Sequence, residues 1–404
     1  VCFIFDVTNV CVIGINMTTL KLNDNFIVEL RNNINNYLVT IFPKDIVKII
    51  SDYDYDCYYY NLEGTSYSFQ YPYTSLFCMR ILPDRRIVSD HYDEIQDKSN
   101  IKVWDPLTDK TITLHDHLDT VLCFAVLPDG RLVSGSKDTT IKIWNLQTEK
   151  CEHTFEGYPN NPDGHSSLIN SIDVLYDNQT DVLSDVRQPL WSTHNQKDHR
   201  IVSASHDCTI KIWNLHTGKC DITISETVKS WYYKIASLPD GRILSSSCGS
   251  CELKIWNAQN GTCDMILVEN YYIHKKLFTS SHKNTITYIG YISDSFSTYR
   301  VISGASDYTI KIWNVKTGKC EMTLNHSHRV EYIAVLPDER VISGLAANRL
   351  LNVWNLKTGK CDSVLTDDKN IKNSSYDWIK YVHVLSDGRI VSITNDRLIR
   401  IWGQ

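Results

Sequence analysis

From Ser75 onward, short runs of alternating apolar and β-branched residues recur in groups of four, separated by turn residues. In the clearest group, residues 121–127 form the first run. Pro128-Asp129-Gly130 then reverses the chain into a second run at 131–136. A polar turn at 137–139 leads to a third run at 140–144, rich in β-branched residues, and 147–150 turns into a fourth at 151–155. Each group predicts a four-stranded antiparallel sheet. Both faces of such a sheet are apolar, so the units must stack face to face. A lysine inside the third run (Lys142, Lys211, Lys254, Lys311) departs from this pattern, and a stem lying along the sheet with its amine at the rim accommodates it.

The third run ends in Ile-Lys-Ile-Trp-Asn or a close variant. The tryptophans are Trp104, Trp144, Trp213, Trp256, Trp313, Trp354 and Trp402, at separations of 40, 69, 43, 57, 41 and 48 residues. The shorter separations match the period of a propeller blade, and neither long gap reaches twice that period. Seven units are expected.

These residues resemble the WD40-repeat family over roughly 85% of the chain. The resemblance implies an all-β, seven-bladed propeller. It also implies a hydrogen-bond set per blade of histidine, serine or threonine, aspartate and tryptophan. Blade two offers His117, Ser134, Asp138 and Trp144; blade three His165, Ser203, Asp207 and Trp213; blade five His282, Ser303, Asp307 and Trp313. Ser250 and Asn348 stand where aspartate is expected, and blades one, four and seven lack the histidine. Of the close pairs His115/His117 and His326/His328, the second member is assigned to the set or its remnant. The family further implies closure by a strand from the far end of the chain. Tyr60-Asn61-Leu62 mimics Trp354-Asn355-Leu356, so 65–70 is expected to complete the last blade and remove two open edges.

Residues 1–56 do not fit the repeat, which leaves 57–404 as the propeller. A hairpin is expected around 20–30 and a short helix at 31–42. A second helix at 43–51 has Pro43 near its start and an apolar stripe at Ile46, Ile49 and Ile50. That piece resembles the opening of an F-box, which would make the chain a ubiquitin-ligase substrate adaptor. The alternative is a cap packed on the propeller. Residues 1–15 lack the basic start of a signal peptide, and Met17 is a candidate initiator.

The net charge of −6 argues against a nucleic-acid groove, and no run of eighteen apolar residues predicts a membrane span. Of the thirteen cysteines, Cys151, Cys220, Cys263, Cys320 and Cys361 recur at one place in the repeat. Equivalent places in stacked blades lie too far apart for disulfides, so they read as free thiols filling small apolar sites. The Thr-Gly-Lys-Cys turns lack the rest of a phosphate loop, and Cys248/Cys251 lacks a second ligand pair for zinc. Neither a metal nor a cofactor is expected, and catalysis is not.

Binding is expected on the face carrying the loops that lead into each blade, the upper face. Its first-strand starts are Ser75, Thr120, Leu168, Trp231, Thr285, Arg329 and Trp378. Trp and Arg are common interface anchors, which singles out Trp231, Arg329 and Trp378. Trp231 and Trp378 equally suit the space left by the missing histidines. An insertion at 176–199 carries Trp191 toward the opposite face, and longer upper loops fall at 157–163, 269–281 and 366–377. The expected function is a non-enzymatic protein-interaction scaffold, cytoplasmic and monomeric, binding neither nucleic acid nor membrane. The repeat wording and the Asn-, Ile- and Tyr-rich composition resemble WD-repeat proteins of large DNA viruses or AT-rich protists, with host cytoplasm or virion as the location in the viral case.

Overall fold

The computed structural model divides into two compact units, Val1–Tyr59 and Tyr60–Gln404. The structure describes residues 2–7, 10–15, 65–70, 78–93, 98–106, 108–175, 199–225, 232–247, 251–273, 276–295, 298–336, 338–346, 350–365, 378–385, 388–394 and 398–402. In the first unit Cys2–Val7 and Val10–Ile15 form an antiparallel hairpin, which the sequence reading did not anticipate. The hairpin expected around 20–30 and the helices expected at 31–42 and 43–51 lie outside the described residues.

The second unit holds seven four-stranded antiparallel sheets. In blade two the strands are Val121–Val126, Leu132–Ser136, Ile141–Asn145 and Lys150–Phe155, within one residue of the expected runs. Seven apolar clusters hold the ring, one at each blade interface. The cluster of Ile81, Ile87 and Trp104 with Tyr381, Val391 and Ile399 joins blade one to blade seven. The last sheet is completed by Thr65–Gln70, paired antiparallel with Leu398–Trp402. The stretch expected as a loop at 269–281 is instead a hairpin of Glu269–Ile273 and Lys276–Ser280.

Register aligns the blades. Met79, Phe124, Ile172, Ile235, Ile289, Ile333 and Val382 each oppose the second-strand serine of their own blade. Close blade packing requires small residues beside that serine. A Cβ on Gly344 would come within 2.7 Å of Ile379 Cγ2 in the next blade.

The repeated cysteines are not buried fillers. They are half-exposed or exposed, and each sits at a bulge where the outer strand slips one residue against the tryptophan, as in Trp144↔Cys151 and Trp213↔Cys220. The thiol donates to the carbonyl two residues on, across the bulge (Cys151 to His153 O, 3.4 Å; Cys361 to Ser363 O, 3.3 Å). Blade one has Thr111 there and no slip. The third-strand lysines run largely buried along the sheet; the amines of Lys142, Lys254 and Lys311 meet partly exposed carboxylates, as expected, and only that of Lys211 stays within the ladder. Lys142, Lys211 and Lys311 are buried, and Lys211 Nζ donates to Thr223 Oγ1 across the ladder at 3.0 Å. Lys142 Nζ reaches Asp116 at 2.7 Å, and Lys311 Nζ bonds Glu269.

Candidate functional site

Three blades carry the complete four-residue set. Trp144 Nε1 donates to Ser134 Oγ, Ser134 to His117 Nε2, and His117 Nδ1 to Asp138 Oδ2, each at 2.7 Å. The direction is forced, because indole only donates and carboxylate only accepts. Blade three repeats this with Trp213, Ser203, His165 and Asp207 at 2.7–2.8 Å. Blade five does so with Trp313, Ser303, His282 and Asp307 at 2.7–3.0 Å. Each aspartate also accepts backbone and threonine donors, for example Ser166 N and Thr209 Oγ1 on Asp207.

Serine, histidine and aspartate in this order have the connectivity of an acyl-transfer triad. Here the serine is wholly buried and its oxygen already accepts the indole proton, so no substrate carbonyl can approach. Burial pushes His165 and His282 below the usual histidine range despite the neighbouring carboxylates, which keeps them neutral. Burial alone would raise Asp138, Asp207 and Asp307. Hydrogen bonds from histidine and threonine outweigh it and hold them well below the carboxylate range. The sets bind the turn between the second and third strands to the upper loop, and their role is architectural.

Blade six corrects the sequence reading. His326, not His328, reaches the serine: His326 Nε2 lies 2.8 Å from Ser343 Oγ, and Trp354 Nε1 donates to the same oxygen at 3.2 Å. Its Nδ1 lies 3.2 Å from Leu324 O, and burial pushes the imidazole down to about 4. His328 is exposed and meets Ser327 Oγ at 2.9 Å. In blades four and seven the tryptophan–serine bond stands without histidine, at 2.8 Å for Trp256–Ser245 and 2.7 Å for Trp402–Ser392. In blade one, which lacks the outer bulge, Trp104 Nε1 turns to Asp109 Oδ1 at 3.0 Å. Ser250, Asn348 and Cys248 lie outside the described residues. Among those described, no group of three or more His, Cys, Asp or Glu is placed to hold a metal.

On the upper face, the expected strand starts coincide structurally. Thr120, Leu168, Thr285 and Arg329 each accept, through the carbonyl, the backbone N–H of the turn above the second strand. Arg329 is exposed and its Nε donates to Glu331 Oε1 at 2.6 Å, which fixes the guanidinium direction. Trp378 is half-buried and lines the mouth of the central cavity. Trp231 and Trp191 lie outside the described residues.

The same face holds apolar residues that the sequence reading passed over. Leu118 is 81% exposed, Tyr158 63% and Tyr308 52%. Leu118 follows the blade-two histidine, and its N–H donates to Asp138. Tyr158 occupies the upper loop into blade three. Tyr308 takes φ 67° at the turn beside Asp307, a conformation unusual for a bulky residue. A large apolar residue beside the histidine or the aspartate of a set was the available signal.

Fold and sets together define a WD40-type seven-bladed β-propeller. The profile of the "WD domain, G-beta repeat" family matches residues 108–145 and 149–214. The chain is 28% identical over 276 residues to the Nuclear distribution protein nudF of Aspergillus niger, a match covering 61% of each protein. It is 33% identical over 120 residues to the WD repeat-containing protein pop1 of Schizosaccharomyces pombe, covering 28% of this chain and 14% of pop1. Against the human Apoptotic protease-activating factor 1 it is 29% identical over 182 residues, covering 38% of this chain and 14% of that protein. The chain thus spans under two thirds of the length of these relatives. They are fungal and human proteins, and none of the three is viral or from a protist. Among the described residues no helix is long and apolar enough to cross a membrane.

Proposed function

We propose that the propeller is a non-enzymatic platform that binds a protein partner on its upper face. The observation that carries this reading is the set of large apolar side chains left in water there, Leu118, Tyr158 and Tyr308. Exposed aromatic and apolar residues on a rigid scaffold bind with little ordering entropy. Arg329, already oriented by Glu331, adds an anchor of defined direction. Trp378 joins it as a half-buried anchor beside the cavity mouth, and Trp231 is proposed with it from its matching place in the repeat. A cytoplasmic location and a monomeric propeller belong to the same proposal.

The test is affinity purification with mass spectrometry, comparing the wild-type chain with Leu118→Glu, Tyr308→Ala and Arg329→Ala. Each variant is first shown to unfold at the wild-type temperature. Loss of the same partner from at least two variants is expected. Recovery of an unchanged partner set from all three would defeat the proposal.

A further inference from the structure

The inner strands of all seven blades surround a central cavity of about 690 Å³. Its wall is uneven in a way the repeat does not require. One residue beyond the serine-facing position, Ala236, Gly290 and Ala334 line the cavity as small residues, whereas Arg80, Asp173 and His383 stand at the same level in three other blades. One residue before that position, blades five, six and seven present Tyr288, Tyr332 and Tyr381. These rings pack in a row with centroids 5.2 and 4.8 Å apart. Blade four presents Lys234 at the same level.

The charges in this space are unlike those of the chain, whose net charge is −6. Arg80, Lys234 and Lys380 face Asp173 and Glu331. Both carboxylates are engaged: Asp173 accepts Ser237 N at 2.7 Å and Val174 N at 2.9 Å, and Glu331 holds Arg329. Arg80 Nη1 donates to Phe124 O at 3.0 Å, which fixes the guanidinium against blade two. We propose that the central cavity binds a small phosphate-bearing metabolite, with Arg80 and Lys234 supplying charge and the tyrosine row supplying phenolic donors.

Burial pushes all three phenols above the usual tyrosine range, so they stay protonated; Tyr332 donates to Tyr381, which leaves Tyr288 and Tyr381 as the donors. Burial also pushes Asp173 up and Lys234 down, so it weakens both signs of charge in the cavity and leaves the Arg80 guanidinium as the fixed charge. The volume lies within the range of small-molecule sites, roughly 300–1,000 Å³, and exceeds what a lone phosphate ion fills. An arginine fork with a lysine suits phosphate oxygens.

The test uses the full chain and inorganic pyrophosphate as probe, titrated calorimetrically at constant ionic strength. Saturable binding to one site is expected, weakened at least tenfold in Lys234→Met and in Arg80→Met but unchanged in Lys357→Ala, which alters an exposed lysine on an outer turn. Thermal unfolding without ligand checks each variant. If Arg80→Met does not fold, Lys234→Met decides. Four results would overturn the proposal: no saturable heat up to millimolar pyrophosphate, wild-type binding by Lys234→Met, equal weakening in Lys357→Ala, or tighter binding of a singly phosphorylated peptide than of pyrophosphate.

Discussion

Ser203→Ala and Ser392→Ala remove the same hydroxyl from two blades whose surroundings differ in one residue type. Ser203 accepts from Trp213 and serves His165, both at 2.7 Å. Ser392 accepts from Trp402 at 2.7 Å in a blade with no histidine. Both serines and both indoles are buried, so water cannot replace the lost partner. A buried donor left unpaired costs about 1–3 kcal/mol. Ser392→Ala strands the indole N–H alone, giving about 1–3 kcal/mol. Ser203→Ala strands the indole N–H and also leaves His165 Nε2 without its donor, giving about 2–5 kcal/mol. Equilibrium urea unfolding, followed by tryptophan fluorescence and by circular dichroism, measures both. Coincident transitions from the two probes justify treating each variant as two-state. The expected order is wild type, then Ser392→Ala, then Ser203→Ala. Equal costs, or a Ser203→Ala cost under about 0.5 kcal/mol, would refute the view that the sets act as connected chains.

Acid should loosen the propeller in two stages. Histidine in the unfolded chain takes up a proton near pH 6.5, whereas His165, His282 and His326 are held lower in the fold, His326 at about 4. Their contribution is therefore complete above about pH 6.5 and lost as the pH falls through the folded values. Asp138, Asp207 and Asp307, depressed in the fold, add a second loss below about pH 4. A urea midpoint unchanged between pH 7.5 and 4.5 would contradict the first stage. Removing residues 1–70 deletes the closing strand Thr65–Gln70 and exposes the edge of Leu398–Trp402. Fragment 71–404 should aggregate on size-exclusion chromatography while 60–404 elutes as a monomer. A monomeric 71–404 with unaltered thermal unfolding would show that closure contributes little.

The blades were legible because the tryptophan closing the third strand recurs in every unit, and the aspartate and Pro-Asp turns, each meeting a local geometric demand, recur in several. The His326 assignment was also within reach. It precedes Arg329 by three residues, as His117 precedes Thr120, whereas assigning the second member of each histidine pair selected His328. What the residues did not reveal depends on neighbours distant in sequence. The cysteine position reads as core until the bulge turns it outward, and Trp104 reads like its counterparts until an unslipped ladder sends its N–H to Asp109. The channel row of Tyr288, Tyr332 and Tyr381 appears only when inner strands are aligned by their serine partners, because loop lengths shift the spacing between blades.

The pairing of Thr65–Gln70 with Leu398–Trp402 joins strands more than 300 residues apart along the chain. At synthesis rates of about 5–20 residues per second, the earlier strand waits about 15–70 s for its partner to emerge. During that interval six sheets can assemble from local hairpins while an unpaired strand and an open edge coexist in the nascent chain. The ring becomes cooperative only at its final contact, so a ribosome pause late in the message, or a chaperone holding residues 65–70, acts at the step of greatest aggregation hazard.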